Sequence, residues 1–288
     1  MKEKLNDIIL VPTDFSEVCQ NAIDHGVEIA EYLNYKVCLL HVINRETKTQ
    51  LKKEQKSVEA IEKKLKAVAD KIYEKTKVEV ECLYKEGSIF NIIHKTASDI
   101  KAQLIILGTH GKKGLQHLFG SFALKVITNA PVPTIVVQKR AFGDGYKNIV
   151  FTINDFTEAR QKLNWAIHIG KKFNSKIHIF QQEQTDPGLL SRIKIITKQI
   201  EEAFNKYDVD YNLVKAEKKA NFTKQLLTYA VQNNADLIMI MTGPDMYSPD
   251  FDLGLWDEKI MFNQAQIPVM CINPVECGSV YYEYITLI

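Results

Sequence analysis

The chain has 288 residues, of which 45% are hydrophobic and 25% charged, and its formal net charge at pH 7 is +2. This composition is typical of a globular protein, and the length is sufficient for two ordinary domains. A nearly neutral balance excludes a dedicated nucleic-acid binder, because no excess of positive charge is available to neutralise phosphates. The apolar runs are too short for a signal-peptide core or a membrane span, so we expect no membrane contact.

The first half alternates short apolar runs with longer amphipathic ones. Strands are predicted at Asp7–Val11, Lys36–Ile43, Val78–Tyr84, Leu104–Leu107 and Thr134–Val137. Helices are predicted at Ser16–Leu33, along a charged stretch near Lys52–Lys77, at Ile89–Ile100 and at Ser121–Asn129. In the charged stretch an apolar stripe recurs every three or four residues, at Val58, Ile61, Leu65, Val68 and Ile72. The alternation predicts an α/β fold with a parallel sheet covered by helices on both faces.

The same pattern restarts in the second half, after a predicted linker at 140–146 that contains Gly143 and Gly145. We align Asp7-Ile-Ile-Leu with Asn148-Ile-Val-Phe, which also aligns Asp14-Phe-Ser-Glu17 with Asp155-Phe-Thr-Glu158. The sequence therefore predicts two similar domains, 1–140 and 147–275, and a tail at 276–288. The tail is rich in β-branched and aromatic residues, which favours a strand that pairs with another sheet edge.

The cysteines carry no recognisable metal or redox pattern. The chain contains Cys19, Cys38, Cys82, Cys271 and Cys277, with no CxxC pair among them. Their odd number and their placement in or beside apolar runs favour reduced, packed thiols in the cytoplasm and no metal site.

The segment that suggests a function is Gly108-Thr-His-Gly111, which follows the apolar run Leu104–Leu107 and precedes Gly120-Ser121. A strand that ends in glycines and turns into a helix can present backbone N–H groups to phosphate oxygens. The alternative is a tight connection that needs positive φ and binds nothing. His110 has no nucleophile or base beside it, so we predict no catalytic residue.

Asp14 admits two interpretations that can coexist. Asp14-Phe-Ser-Glu17 has the pattern of a capping box, in which Asp14 accepts from the first-turn N–H groups and Glu17 reaches back. Asp14 also follows the first strand, where it would face a ligand.

The second half lacks the glycine loop. Its fourth strand runs into a segment with Pro244 and Pro249, which have no backbone donors, and with acidic side chains that would repel phosphate: Asp245, Asp250 and Asp252. We therefore predict that this site is disabled.

Three motifs resemble the universal stress protein family in a tandem, two-domain form: Val11-Pro-Thr-Asp14, Gly108-Thr-His-Gly111 with Gly120-Ser121, and Ala130-Pro-Val-Pro133. The resemblance implies a five-stranded parallel sheet in the order 3-2-1-4-5 in each domain. It also implies an ATP site, with Pro12, Thr13, Asp14 and Val42 on the nucleoside side and Gly108, Gly111, Gly120 and Ser121 on the phosphate side. ATP-binding members usually have nine residues between the second glycine and the Gly-Ser pair, whereas Lys112–Phe119 supplies eight. The shorter loop either cradles phosphate or closes the pocket.

On this resemblance we expect a nucleotide sensor that binds ATP, with magnesium as its counter-ion, or AMP, in the first domain only. The two domains would pair through Thr134–Val137 and Val269–Ile272, and a homodimer of whole chains is left open. The alternative is a ligand-free interaction module with both pockets closed. An enzyme, at most a slow ATPase, is the least favoured.

Overall fold

The computed structural model describes residues 7–109, 118–154, 157–217, 221–242 and 255–274. The chain divides into two compact units, Met1–Gly145 and Tyr146–Ile288, which we call the first and the second unit. No helix in these described ranges is long and apolar enough to cross a bilayer.

The first unit is a five-stranded parallel sheet in the order β3-β2-β1-β4-β5. Its strands are β1 (Ile8–Pro12), β2 (Lys36–Ile43), β3 (Val80–Glu86), β4 (Leu104–Gly108) and β5 (Thr134–Val137). Its helices are α1 (Glu17–Leu33), α2 (Arg45–Lys53), α3 (Glu59–Thr76), α4 (Ile89–Asp99) and α5 (Leu118–Thr128). The contacting pairs α1–α3 and α4–α5 lie on opposite faces, because crossovers between parallel strands are right-handed. The predicted α/β class and strand order are confirmed.

Burial of the strands follows their position in this sheet. Every residue of β1 and β5 is buried, as expected for strands covered by helices on both sides. β3 lies at the edge, and none of its residues is fully buried.

The charged stretch forms two helices, not the single long one that the sequence predicted. α2 ends at Lys53, and Gln55 takes a left-handed conformation with φ of 52° before α3 begins at Glu59. The reason is that the apolar stripe does not extend back through residues 52–57. α3 buries Ile61, Leu65 and Ala69 against the sheet, whereas α2 buries no residue at all.

The second unit has the same topology, with parallel strands in the order β8-β7-β6-β9-β10. Its strands are β6 (Asn148–Ile153), β7 (Lys176–Gln181), β8 (Asp210–Lys215), β9 (Leu237–Met241) and β10 (Val269–Ile272). Its helices are α6 (Leu163–Phe173), α7 (Pro187–Lys206), α8 (Phe222–Gln232) and α9 (Leu255–Met261), with a 3₁₀ helix at Thr157–Lys162 ahead of α6. The long helix α7 buries Ile193, Ile196, Ile200 and Phe204 as the sequence predicted.

Strand pairing corrects the predicted alignment of the two halves by one residue. Ile9 pairs with Val37 in the first unit, and Ile149 pairs with Ile177 in the second. Both pairs have the same separation in sequence, and α1 and α6 both end in a left-handed asparagine, Asn34 and Asn174. Equivalent residues of these strands are therefore 140 positions apart, and by this register Asp14 corresponds to Asn154. The shared Asp-Phe-Ser/Thr-Glu letters had favoured the other alignment, but sheet register depends on backbone hydrogen bonds and on which side chains face the core.

The predicted linker at 140–146 is packed at both ends. Phe142 is buried against His25 in the first unit, and Tyr146 is buried against Phe173 in the second. Only the glycines between them have positive φ, 68° at Gly143 and 93° at Gly145.

The cysteines within the described ranges are free thiols, and Cys19, Cys38 and Cys271 are buried. Burial raises the pKa of Cys19 and of Cys38 to about 12, so neither thiol ionises near neutral pH. The predicted packing of these cysteines is therefore confirmed, whereas Cys277 lies outside the described residues.

Candidate functional site

A cavity of about 480 Å³ opens at the carboxyl ends of β1, β2 and β4 in the first unit. The strand order reverses between β1 and β4, and open α/β sheets bind their ligands at such a point. The volume falls within the range of small-molecule sites. Of the eight predicted site residues, five line this cavity: Pro12, Thr13, Asp14, Val42 and Gly108.

The other three predicted residues are less fully described. Gly111 lies outside the described residues. Gly120 and Ser121 lie in the first turn of α5, which begins at Leu118 and not at Ser121 as predicted, and their side chains lie outside the described part of the chain.

Three side-chain oxygens hold the turn from β1 to α1. The N–H of Phe15 donates to Oγ1 of Thr13 (3.0 Å), and the N–H of Ser16 donates to Oδ1 of Asp14 (2.8 Å). The N-cap of α1 is Ser16, whose Oγ accepts from the N–H of Cys19 (3.4 Å). The predicted capping box is therefore wrong: Asp14 closes the turn before the helix, because Phe15, with φ of 65°, places Ser16 at the cap.

Asp14 remains ionised in this position. Partial burial opposes ionisation, but hydrogen bonds from the side chain and backbone of Ser16 outweigh it and lower the pKa of Asp14 below its usual value. Since Asp14 is exposed and lines the cavity, its carboxylate can accept hydrogen bonds from a ligand while one oxygen keeps the turn closed.

His41 was not predicted as a site residue, although it contributes to the cavity wall. Its Nδ1 donates to the carbonyl of Thr13 (2.8 Å), and its ring stacks on Phe15 at 4.9 Å between centroids. Burial lowers the pKa of His41, so the ring is neutral and ties the end of β1 to β2. A polar ring near the end of an otherwise apolar strand was the sequence signal that could have revealed it.

Gly108 is required by the close approach of a helix. A Cβ on Gly108 would lie 2.6 Å from the carbonyl oxygen of Val18 and 3.1 Å from Cα of Cys19, both in α1. The alternative interpretation, a need for positive φ, does not hold for Gly108, which is absent from the positive-φ glycines of the described chain. The missing side chain brings the start of α1 against β4, beside the cavity.

The α2 helix and its C-cap Glu54 contribute one wall of the cavity; the lining residues within α2 are Glu46, Thr47, Gln50 and Leu51. Asn44 caps this helix by accepting from the N–H of Thr47 (2.9 Å), and Lys48 forms an ion pair with Glu86 at the end of β3. Sequence analysis did not predict this wall, because it assigned no element to residues 45–51.

Much of the remaining wall is apolar, formed by Leu40, Val42, Ile89, Phe90, Ile93, Leu107, Ala123 and Val126. An apolar wall beside the polar turn 13–16 suits a flat, partly polar group such as a nucleobase. The described residues contain no group of three or more His, Cys, Asp or Glu side chains that could hold a metal ion.

At the equivalent place in the second unit, larger buried side chains stand at positions where the first unit has small residues. The N–H of Ile105 donates to the carbonyl of Pro133, and the N–H of Ile238 donates to that of Pro268. Because these bonds match, Met241 is the equivalent of Gly108, and it is only 1% exposed. Lys162, at the position of Ala22, is fully buried, and its Nζ donates to the carbonyl and to Oγ1 of Thr152. The segment with Pro244, Asp245, Pro249, Asp250 and Asp252, on which the prediction of a disabled site rested, lies outside the described residues.

Comparisons with known proteins agree with this architecture. The sequence profile of the universal stress protein family matches residues 6–138. Two universal stress proteins from Methanocaldococcus jannaschii are 35% identical over 145 residues and 33% identical over 159 residues. The first match covers 48% of this chain and 85% of that protein, and the second covers 46% and 94%. The chain therefore belongs to the universal stress protein family.

Among solved structures, a universal stress protein from Archaeoglobus fulgidus DSM 4304 matches with a TM-score of 0.74 at 18% identity. The match covers 93% of this chain and 98% of that one. At this identity the likeness concerns the fold, which extends over both units.

Proposed function

We propose that the first unit binds an adenine nucleotide, ATP or AMP, in the 480 Å³ cavity and that binding is its biochemical role. The observation that supports this most strongly is the convergence of Pro12, Thr13, Asp14, Val42 and Gly108 on one cavity. These residues come from three strand ends that are distant in sequence, and all five are positions that resemble the family's ATP site.

In this proposal the nucleoside and the phosphates of the nucleotide contact chemically different parts of the cavity. Pro12 and Val42 contact the base, and the Asp14 carboxylate accepts from a hydroxyl or amino group of the nucleoside. Backbone N–H groups at Gly108, Gly111, Gly120 and Ser121 contact the phosphates, where the N-terminus of α5 favours negative charge.

Binding without turnover is favoured by the state of the potential reactive groups. His41 is neutral and donates to Thr13, and the raised pKa of Cys19 keeps its thiol protonated. Neither is paired as a base with a nucleophile, which nucleophilic or general-base catalysis requires. We therefore propose a sensor with slow or absent phosphate chemistry.

Isothermal titration with ATP and with AMP tests the binding, together with the shift of the thermal unfolding temperature. We expect heat and stabilisation from at least one nucleotide, since a ligand that binds only the folded state stabilises it. If neither nucleotide gives heat or stabilisation, the proposal is wrong and the interaction module with closed pockets is favoured.

We also propose one site per chain, with the second unit as a scaffold, because Met241 and Lys162 replace small residues there. The fitted stoichiometry tests this directly: we expect one nucleotide per chain, and two would contradict it.

From the family resemblance we further propose that the units pair through β5 and β10 in a cytoplasmic protein. A protease site inserted between Gly143 and Gly145 tests the pairing. We expect the cleaved halves to elute together in size-exclusion chromatography, whereas separate elution would contradict the pairing. The same column shows whether whole chains form a homodimer.

A further inference from the structure

The cavity contains a lysine that the family motifs do not include. Two lysines are among its lining residues, Lys56 and Lys64. Lys56 is paired with a carboxylate, because its Nζ lies 2.7 Å from Oε2 of Glu54. Lys64 has no carboxylate oxygen within 4.0 Å among the ion pairs of the described residues.

The acidic groups near Lys64 do not form a close ion pair with it. Glu54 accepts from Lys56 and, at 2.9 Å, from Gln50. Asp14 accepts from the N–H of Ser16 at 2.8 Å, and Glu46 lines the same cavity. Since Lys64 has no ion pair within 4.0 Å among the described residues, its ammonium group can bind an anion that enters the cavity.

The aromatic ring of Phe15, in the turn from β1 to α1, helps to hold Lys64 at the cavity. Its Nζ lies 5.3 Å from the centroid of the Phe15 ring, a cation–π distance, and that ring stacks on His41. In α3, Lys64 follows Ile61 by three residues and precedes the buried Leu65, so its stem runs along the margin of the buried face. The turn that carries Asp14 thus also positions the ammonium group.

We propose that Lys64 binds the anionic part of the nucleotide, so that α3 distinguishes phosphorylated from unphosphorylated nucleosides. This inference rests on the proposed function, and it adds a cation on α3 to the backbone N–H groups proposed to contact the phosphates. A point charge there attracts phosphate whatever its orientation, because an ammonium group has rotatable donors.

Titrations of the full chain with ATP, AMP and adenosine test the inference in wild type and in Lys64→Met, which keeps an unbranched side chain of similar length. We expect the affinity of Lys64→Met for ATP to fall about tenfold, as for the loss of one charge-assisted hydrogen bond. Its affinity for adenosine should stay within about twofold of wild type. The dependence of ATP affinity on salt should weaken, since one ion contact is lost.

Lys63→Met is the matched control, because Lys63 is an exposed neighbour on α3 that does not line the cavity. It should bind all three ligands as wild type does, and Lys64→Arg should restore most of the ATP affinity. If Lys64→Met binds ATP as tightly as wild type, or loses adenosine to the same extent, the role of Lys64 is refuted while the nucleotide site stands. If wild type binds no nucleotide, the proposed function itself fails.

Discussion

The two units of this chain share one topology but differ at the end of their fourth strand, β4 in the first unit and β9 in the second. This strand lies beside the point where the strand order reverses. In the first unit this strand ends in Gly108, and the backbone of α1 lies where a side chain would be. In the second unit it ends in Met241, which is almost fully buried. The same sheet thus supports a cavity beside a close helix in one unit and a filled space in the other.

The start of the first helix differs accordingly. With the 140-residue offset, α1 (17 residues) corresponds to the 3₁₀ helix Thr157–Lys162 followed by α6. A helix backbone within 2.6 Å of a Cβ position leaves no room for methionine. In the second unit the 3₁₀ helix Thr157–Lys162 contacts β9 in place of the α-helical start. The comparison teaches that a glycine at the strand end and an α-helical start of the neighbouring helix occur together.

The largest effect is expected when the filling of the second unit is removed. Met241→Ala should lower the free energy of unfolding by about 2–5 kcal/mol, because a buried side chain is replaced by a cavity. Both tryptophans, Trp165 and Trp256, belong to the second unit, so denaturant unfolding followed by their fluorescence reports on it.

Ile195→Ala is the control for that measurement, since Ile195 is 59% exposed, and it should change stability by less than about 0.5 kcal/mol. An effect of Met241→Ala as small as this would show that Met241 does not fill the core.

The buried lysine gives the second unit a pH dependence of known sign. Burial lowers the pKa of Lys162 to about 7, from an ordinary lysine value of 10.5. Between these values the unfolded state binds a proton that the folded state does not, so stability rises with pH. The slope for one group is about 1 kcal/mol per pH unit, and below pH 7 the contribution is constant and least favourable.

The stability of Lys162→Met should lack this slope. The difference in stability between wild type and variant, measured by tryptophan fluorescence from pH 7 to 10, should therefore change with pH by the full amount. Lys172→Met, at an exposed position of α6, should leave the slope as it is. Equal slopes in wild type and Lys162→Met would mean that the amine is charged in the folded state.

A side chain at Gly108 should make the end of β4 in the first unit resemble the end of β9 in the second. Gly108→Ala should cost about 1–3 kcal/mol of stability, because the added Cβ meets the backbone of α1. Nucleotide affinity should fall as well, since the displaced helix start carries the turn 13–16. Far-UV circular dichroism gives the stability and calorimetry the affinity.

Gly26→Ala is a demanding control, because the Cβ at Gly26 would lie 2.8 Å from a methyl group of Val11. This contact is with a side chain, and alanine improves helix propensity, so the net change should be within about 1 kcal/mol. If the two variants behave alike, close backbone approach is not the reason for Gly108.

The smallest change tests the aspartate that the second unit lacks. Asp14→Asn introduces the residue found at the equivalent position 154 and keeps an oxygen that can close the turn. We expect stability within about 0.5 kcal/mol of wild type and about fivefold weaker binding of both adenosine and ATP, because a charged acceptor is replaced by a neutral one. Equal binding before and after the change would remove Asp14 from the site.

Titration of the same group predicts how binding by the wild type depends on pH. Because the pKa of Asp14 is lowered, its contribution should persist down to pH values near 4 and decline only below them. Asn154→Asp, the converse change in the second unit, should leave binding unaltered.

Local patterns in the sequence were sufficient to predict the strands, whereas their order and the site residues, five of which line the cavity, came from the resemblance to the universal stress protein family. β1 and β4 are continuous apolar runs, and the residues that follow them lie at the carboxyl edge of a parallel sheet. Given the strand order, Asp14 and Gly108 must flank the point where it reverses.

What the sequence did not provide depends on contacts between distant segments. The role of Gly108 is set by the distance of α1 from β4, and the role of His41 by the carbonyl of Thr13. The break after α2 depends on which apolar residues find a surface to cover. The alignment of the halves failed because similar letters at Asp155 outweighed a register that only strand pairing fixes.

Because α2 has no buried residues, the rate of nucleotide exchange can vary independently of the folding free energy. A nine-residue helix that buries nothing adds little to the global folding free energy and opens readily. Because four of its residues line the cavity, its opening would set how fast a nucleotide associates and dissociates. Residence time could therefore be tuned by substitutions in this helix at little thermodynamic cost to the fold, an adjustment that the rigid strand ends do not permit.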